Sequence, residues 1–353
     1  MNATPQDNPL GLDGFEFVEF TSPDPEAMAD LFGKLGFVHA GDHRRIAVRH
    51  YRQGDINFLL NMETVGHADD FRKAHGPSAS AMAFRVGDAR AALKLAVERG
   101  ATQVEGDYGY PCIEGIGGSH LYLIDRYGES SIYDSDFEPV AGGERAEGAG
   151  LHTLDHLTHN VCRGRMNPWA GFYESIFNFR EIRYFDIEGQ QTALLSRAMT
   201  APDDKIRIPL NESQDDVSQI AEYLRDYNGE GIQHIALATD DIFATVDALG
   251  AAGIRFQDSP DTYFDMIDER LPGHGHDIAE MRRRRILIDG SPETGEGLLL
   301  QIFTENMFGP IFFEIIQRKG NQGFGEGNFK ALFESIELDQ IRRGVLPAAK
   351  EHA

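Results

Sequence analysis

MAFRVGDARAALKLAVERGA (82–101) and IALATDDIFATVDALGAAGI (235–254) align without a gap, and the fold is read outward from this pair. Asp88 falls on Asp241 and Gly100 on Gly253. In each copy a short β-rich run leads to an Asp placed to cap a helix. About three turns follow with apolar residues at helical spacing, and a Gly stands where the helix must stop. Each copy is therefore a strand feeding a helix, and the chain carries an internal repeat. A weaker match joins GFEFVEF (14–20) and MADLFGKLGFVHAG (28–41) to TLDHLTHNV (153–161) and GFYESIFNFREIR (171–183).

The runs after these openings, RRIAVRHYRQGDINFLLN (44–61), YLIDRYGESSIYD (122–134), TALLSRAM (192–199) and LLLQIFTENMFGPIFFEIIQR (298–318), are β-rich and broken by turn residues, as in antiparallel strands. The sum is an α+β chain of four βαβββ-like modules, two per domain. The stretch VAGGERAEGAG (140–150) has no apolar period and reads as a linker, giving domains 1–148 and 149–353. The closing segment GNFKALFESIELDQIRR (327–343) reads as an amphipathic helix with Asn328 at its N-cap and Phe329, Leu332, Phe333 and Ile336 on one face.

A length of 353 residues suits two cores better than one. No apolar run approaches the ~20 residues of a membrane-spanning helix, and 1–11 is polar with no basic, then apolar, secretory pattern. A cytoplasmic enzyme is expected. A net charge of −24 repels phosphate backbones and anionic lipid, which argues against nucleic-acid or membrane partners. Cys112 and Cys162 share no metal-ligand spacing and are read as reduced structural thiols.

Among thirteen histidines, His156 and His234 stand inside apolar strands of different modules, 78 residues apart (156 to 234). A buried imidazole needs a partner or a metal. Glu314 follows 80 residues later (234 to 314), flanked by Phe312, Phe313, Ile315 and Ile316, where a lone carboxylate needs a cation. Two imidazoles and one carboxylate from separate strands form the facial set that leaves open positions on non-haem iron(II). In the N-terminal copy Ala81 stands in place of His234, GFEFVEF has no His, and SSIYDSD (130–136) has no Glu in an apolar run. The first half is therefore expected to lack a metal. The plain alternative is a pair of hydrogen-bonded core histidines. His159 competes with His156, but in an extended strand the two point to opposite faces.

Other signals read as ordinary. His274 and His276 in PGHGHDI are expected in a solvated loop, Arg282, Arg283, Arg284 and Arg285 are expected to pair with surface carboxylates, and GFGEGN (323–328) is a turn before the final helix with no phosphate-loop context.

The motifs LDHLTHNV, RIPLNES, GIQHIAL, LLLQIFT, FFEIIQRKG and GFGEGNF, in this order, resemble the 4-hydroxyphenylpyruvate dioxygenase family, over essentially the whole chain and most densely from 154 to 337. The resemblance implies a vicinal oxygen chelate fold, with paired βαβββ modules forming two open barrels and Fe(II) in the C-terminal one, held by His156, His234 and Glu314. It implies a polar pocket of Ser196, Asn211, Gln219, Gln233, Gln301 and Asn328, with Phe303, Phe312, Phe324 and Phe329 as the aromatic wall. Core packing alone would also explain the four aromatics. The implied reaction takes 4-hydroxyphenylpyruvate and O2 to homogentisate and carbon dioxide, in tyrosine and phenylalanine catabolism. The terminal helix (328–341) is expected to lie over the site as a lid, and a homo-oligomer, dimer or tetramer, is expected. Three rivals remain: benzylic hydroxylation as in hydroxymandelate synthase, extradiol cleavage of a catechol, and a binding protein of the same fold without chemistry. The product, the accepted substrate and the iron content separate them.

Overall fold

The computed structural model describes residues 7–143, 148–188, 193–216, 218–328 and 330–332. Its frame is two eight-stranded sheets. The N-terminal sheet contains β1 (Phe15–Thr21), β2 (Val38–His43), β3 (Val48–Gln53), β4 (Ile56–Asn61), β5 (Ser78–Arg85), β6 (Cys112–Glu114), β7 (His120–Ile124) and β8 (Phe137–Pro139). The C-terminal sheet contains β9 (Leu151–Val161), β10 (Arg180–Glu188), β11 (Ala193–Thr200), β12 (Arg207–Ser213), β13 (Gly231–Thr239), β14 (Leu287–Ser291), β15 (Gly297–Phe303) and β16 (Phe312–Lys319).

The repeat seen in the sequence is the repeat of the fold. The helices Ala89–Glu98 and Ile242–Ala251 follow β5 and β13, and each is capped by the aligned aspartate. Asp88 accepts from the Ala91 amide at 2.9 Å and Asp241 from the Ala244 amide at 3.1 Å. Gly100 and Gly253 close the two helices at φ of +103° and +93°, a region that side chains disfavour.

Three modules are complete βαβββ units. In the second, the strand after the helix has shrunk to an isolated bridge between Gln103 and Ile113. In the fourth the same stretch is a bridge between Phe256 and Thr304, followed by the short helices Asp261–Asp265, Ile267–Arg270 and Ile278–Arg284 before β14. Within each module the first and last strands are parallel neighbours: β1 with β4, β5 with β7, β9 with β12, β13 with β16. The strands of the runs after each opening are antiparallel to one another, as expected, in β2–β3–β4, β10–β11–β12 and β14–β15–β16. The helix carries the chain across the sheet, and the meander that follows returns its last strand alongside the first. Paired modules meet through the antiparallel contacts β1–β5 and β9–β13.

One face of each sheet packs on helices. Leu157, Val161, Ile235, Leu237, Phe313 and Ile315 of the C-terminal sheet lie fully buried in one apolar cluster with Tyr173, Ile176, Val246 and Leu249 of the helices. The interior of the N-terminal barrel is a separate cluster that includes Phe17, Val48, Leu59, Tyr108, Tyr122 and Phe137. Both cysteines are free thiols; Cys112 is buried, but Cys162 is exposed and so is not the buried structural thiol expected.

The two caps are equivalent and exposed, so Asp241→Ala should lower unfolding free energy by about 1 kcal/mol, the usual worth of an N-cap side chain. Urea denaturation checks this, and a change within error of zero would mean that the cap does not hold the helix.

Candidate metal centre

His156 lies on β9, His234 on β13 and Glu314 on β16, three strands that are neighbours in the sheet. Ala236 on β13 pairs with His156 across the antiparallel ladder and with Glu314 across the parallel one, so the two ligands flank it on one rung. His234 stands two residues earlier on the same face. The small Ala236 side chain leaves the space between them open. Candidate ligand atoms of all three residues lie within 4.8 Å of one another. The Nε2 atoms of His156 and His234 are 3.2 and 3.4 Å from the same Glu314 oxygen and 3.4 Å from each other.

Both histidines sit beside a β-bulge. On β9, His156 and Leu154 pair with successive residues of β13, leaving Asp155 unpaired; on β13, His234 and Ile232 pair with Thr158 and His159, leaving Gln233 unpaired. Consecutive residues of a regular strand face opposite ways. The bulge removes that restriction and turns each extra side chain onto its neighbour. The Asp155 carboxylate accepts from His156 Nδ1 at 2.8 Å, and the Gln233 carbonyl oxygen accepts from His234 Nδ1 at 2.9 Å. Each bond places the hydrogen on Nδ1 and leaves the Nε2 lone pair facing the centre. Arg318 clamps Asp155 in turn, with two hydrogen bonds of 2.7 Å.

The electrostatics match. Burial pushes Glu314 up, but the facing histidines override it and hold the carboxyl down at about 2. Burial pulls His156 down, and the Glu314 and Asp155 carboxylates more than offset it, so its net shift is upward. His234 is shifted down by its burial. The donor set fits a divalent cation, because two imidazole nitrogens and a carboxylate converge and the second Glu314 oxygen, Oε1, is buried without a partner.

His159 faces the other way, as its odd spacing requires. Its Nε2 shares a hydrogen bond of 2.8 Å with the Tyr173 hydroxyl on the helix Met166–Phe177.

Around the centre, Phe312 stacks on His234 with ring centroids 5.0 Å apart, Phe324 stands edge-on to His156 at 5.3 Å, and Phe303 lies 6.2 Å from His234. Gln301 is buried with its Oε1 unpartnered. Gly325 lies against it at φ +75°, where a Cβ would come 2.0 Å from that oxygen, so a side chain there would strain the backbone and displace the Gln301 amide. Ser196 and Asn211 are half-buried and paired across β11 and β12.

Other expected site residues lie elsewhere. Gln219 is exposed at the start of the helix Gln219–Asp226, behind its Ser218 cap, and is not brought into this group. Gln233 acts on His234 rather than lining open space. Asn328 is not the N-cap, since the helical turn begins at Glu326. It is buried, and its Oδ1 accepts from the Tyr263 hydroxyl. Phe329 and most of the lid segment lie outside the described residues. His274 is buried rather than solvated, and its Nε2 lies 3.0 Å from Asp268 of the short helix Ile267–Arg270. Arg282, Arg284 and Arg285 pair with Asp265, Asp247 and Asp261, as expected.

Sequence reasoning missed Asp155, Thr158, Asn160 and Arg318. Thr158 bonds His234 Nε2 at 2.9 Å. The i+2 and i+4 spacing of Thr158 and Asn160 from His156 was the available signal.

The N-terminal barrel keeps the frame and loses the ligands. Phe17 and Tyr122 flank Ala83 as His156 and Glu314 flank Ala236, and Ala81 stands for His234. The strand equivalent to β16 is therefore β7, HLYLI, and not SSIYDSD, which contains the helix Ile132–Asp136.

Residues 6–138 match the family described as "Hydroxyphenylpyruvate dioxygenase, HPPD, N-terminal", and 153–266 match the Glyoxalase/Bleomycin resistance protein/Dioxygenase superfamily. The chain is 58% identical over 350 residues to 4-hydroxyphenylpyruvate dioxygenase of Pseudomonas aeruginosa, covering 97% of this chain and 98% of that one. The chain belongs to the 4-hydroxyphenylpyruvate dioxygenase family. A second relative of the family member described here, 59% identical over 350 residues (96% of this chain, 98% of the relative), is Hemolysin VllY of Vibrio vulnificus. A solved variant of 4-hydroxymandelate synthase from Streptomyces coelicolor superposes with a TM-score of 0.80 at 25% identity, covering 93% of this chain and 99% of that one. As a 4-hydroxyphenylpyruvate dioxygenase family member with the vicinal oxygen chelate fold, the chain is a metal-dependent dioxygenase. Among the described residues no helix is long and apolar enough to cross a membrane.

Two predictions follow from these contacts. Asp155→Asn should weaken metal binding about 10–100-fold with the fold retained, as losses of a ligand's hydrogen-bond partner do; chelator competition measures it, and unchanged affinity would refute the role of the bulge. Burial holds His50 near 4 and His120 and His159 near 3, below the ordinary 6.5. Their stabilisation is fully present above pH 6.5 and is lost as pH falls toward 3, because the unfolded chain then binds more protons. Urea midpoints across this range should decline; a flat profile would count against buried neutral imidazoles.

Proposed function

We propose that the chain converts 4-hydroxyphenylpyruvate and O2 to homogentisate and carbon dioxide, with Fe(II) held by His156, His234 and Glu314. The observation that carries this reading is the convergence of the three ligand side chains on one face of the C-terminal sheet, with candidate ligand atoms within 4.8 Å of one another. Iron held by these three residues would supply the one-electron chemistry with O2 and a 2-oxo acid that side chains lack.

The protein's own part is to hold, orient and exclude. Asp155 and Gln233 fix the imidazole tautomers, so both Nε2 lone pairs face inward. Phe303, Phe312 and Phe324 present apolar surface beside the ligands, which suits an aromatic ring and excludes water. Ser196, Asn211 and Gln301 offer neutral donors and acceptors at fixed points, orienting the substrate without competing for its protons. Gln219 and Asn328 belong to this reading only as supports of the surrounding helices.

Residues 149–353 form the catalytic domain in this reading and 1–148 a scaffold, whose barrel interior is filled by Phe17, Tyr108 and Tyr122. The scaffold offers a surface for self-association into a dimer or tetramer, and the enzyme works in the cytoplasm on tyrosine and phenylalanine breakdown.

Iron-loaded protein given 4-hydroxyphenylpyruvate should yield homogentisate, and Glu314→Gln should lose both iron and turnover while circular dichroism stays unchanged. Formation of 4-hydroxymandelate would instead assign benzylic hydroxylation. Full turnover by Glu314→Gln would end the proposed ligand set.

A further inference from the structure

Asn160 is fully buried, and neither its amide nitrogen nor its carbonyl oxygen has a partner. Buried side-chain amides in folded proteins are normally satisfied, so one with both ends free calls for an explanation. Its direction is fixed by its neighbours on β9. Thr158 faces the centre, where it bonds His234, and His159 faces the outer helix, where it bonds Tyr173. β9 is regular after the Asp155 bulge. Asn160 therefore faces the interior with His156 and Thr158.

It does not stand alone there. Asn160 pairs with Asn211 on β12, and Asn211 pairs with Ser196 on β11. Their faces are confirmed by the residues beside them. Glu212 accepts from the Met166 amide and Arg197 donates to Asn167, both on the outer helix, so Asn211 and Ser196 point inward. The three side chains form a polar row across three adjacent strands. The row lies four residues from His156, about 13 Å along the strand at the usual rise.

We propose that Asn160 reads the para hydroxyl of the aromatic substrate, accepting its hydrogen and donating to its oxygen at the end of the pocket away from the metal ligands. This rests on the substrate class proposed above. Asn160 is the deep member of the row, and Asn211 and Ser196 form its half-buried edge. An amide desolvated and unpaired in the free chain favours a ligand that brings a hydroxyl and penalises one that does not.

The test uses iron-loaded protein kept free of oxygen, with the Kd of 4-hydroxyphenylpyruvate and of phenylpyruvate measured by calorimetry. The wild type should prefer the hydroxylated acid. Asn160→Leu, of similar volume, should cut that preference by about tenfold or more while keeping or raising the thermal midpoint, because it removes an amide that has no protein partner. Asn160→Ala, which leaves room for either ligand, should lose the preference equally, with iron content unchanged in both. A preference within twofold of the wild type in both variants overturns the assignment. So does a midpoint drop in Asn160→Leu with the preference intact, which would make the residue structural. Homogentisate formation by the wild type is read separately, so failure of the reaction and failure of Asn160's role cannot be confused.

Discussion

Backbone register between β9, β13 and β16 sets the position of everything else in the centre. Because Ala236 shares hydrogen-bonded ladders with the strands on either side, the backbone brings His156 and Glu314 to the same height, where their side chains attract each other across 3.2 Å. A shift of one residue in either ladder would send one ligand to the helix side. The apolar face opposes that shift. The shift would carry Leu157 of β9, or Phe313 and Ile315 of β16, into the barrel interior. Burial of one face thus holds the polar arrangement on the other.

Much of this was legible in the sequence, and the reasons differ by residue. The gapless repeat exposed the module, since an Asp cap and a Gly stop are local signals with fixed spacing. His156, His234 and Glu314 stood out because ionisable groups amid apolar residues are costly without a partner. What stayed hidden depends on pairing. The parallel contacts of β1 with β4 and β9 with β12 arise from how a meander folds back, which strand composition does not encode. Gln219 carries the right motif yet lies exposed, since a helix start decides its direction. Asp155 and Gln233 were adjacent to predicted ligands all along, but alternation places adjacent residues on opposite faces. Only the bulges, invisible in composition, bring them over.

The two halves show one frame with different contents. In the N-terminal sheet β1 also carries an unpaired residue, Glu16, between the paired Phe15 and Phe17, and Glu16 bonds Arg85 as Asp155 bonds Arg318. A carboxylate at this bulge pairs with an arginine in both halves, though the arginine comes from β5 in one and from β16 in the other. The ligand positions differ, with Phe17 and Tyr122 filling the interior. One frame thus carries converging His and Glu side chains in one half and an apolar filling at the matching positions in the other.

The bulges beside His156 and His234 have a consequence for how such a centre tolerates change. Each ligand and its hydrogen-bond partner occupy consecutive places in the chain, so no loop or helix must travel to bring them together. Insertions elsewhere, such as the three short helices before β14, can accumulate without disturbing the imidazole rings. Loss of a single residue at either bulge would reset the phase of the strand and turn the ring and its partner apart in one step. The centre is insulated from its periphery and fragile at two points of its own backbone.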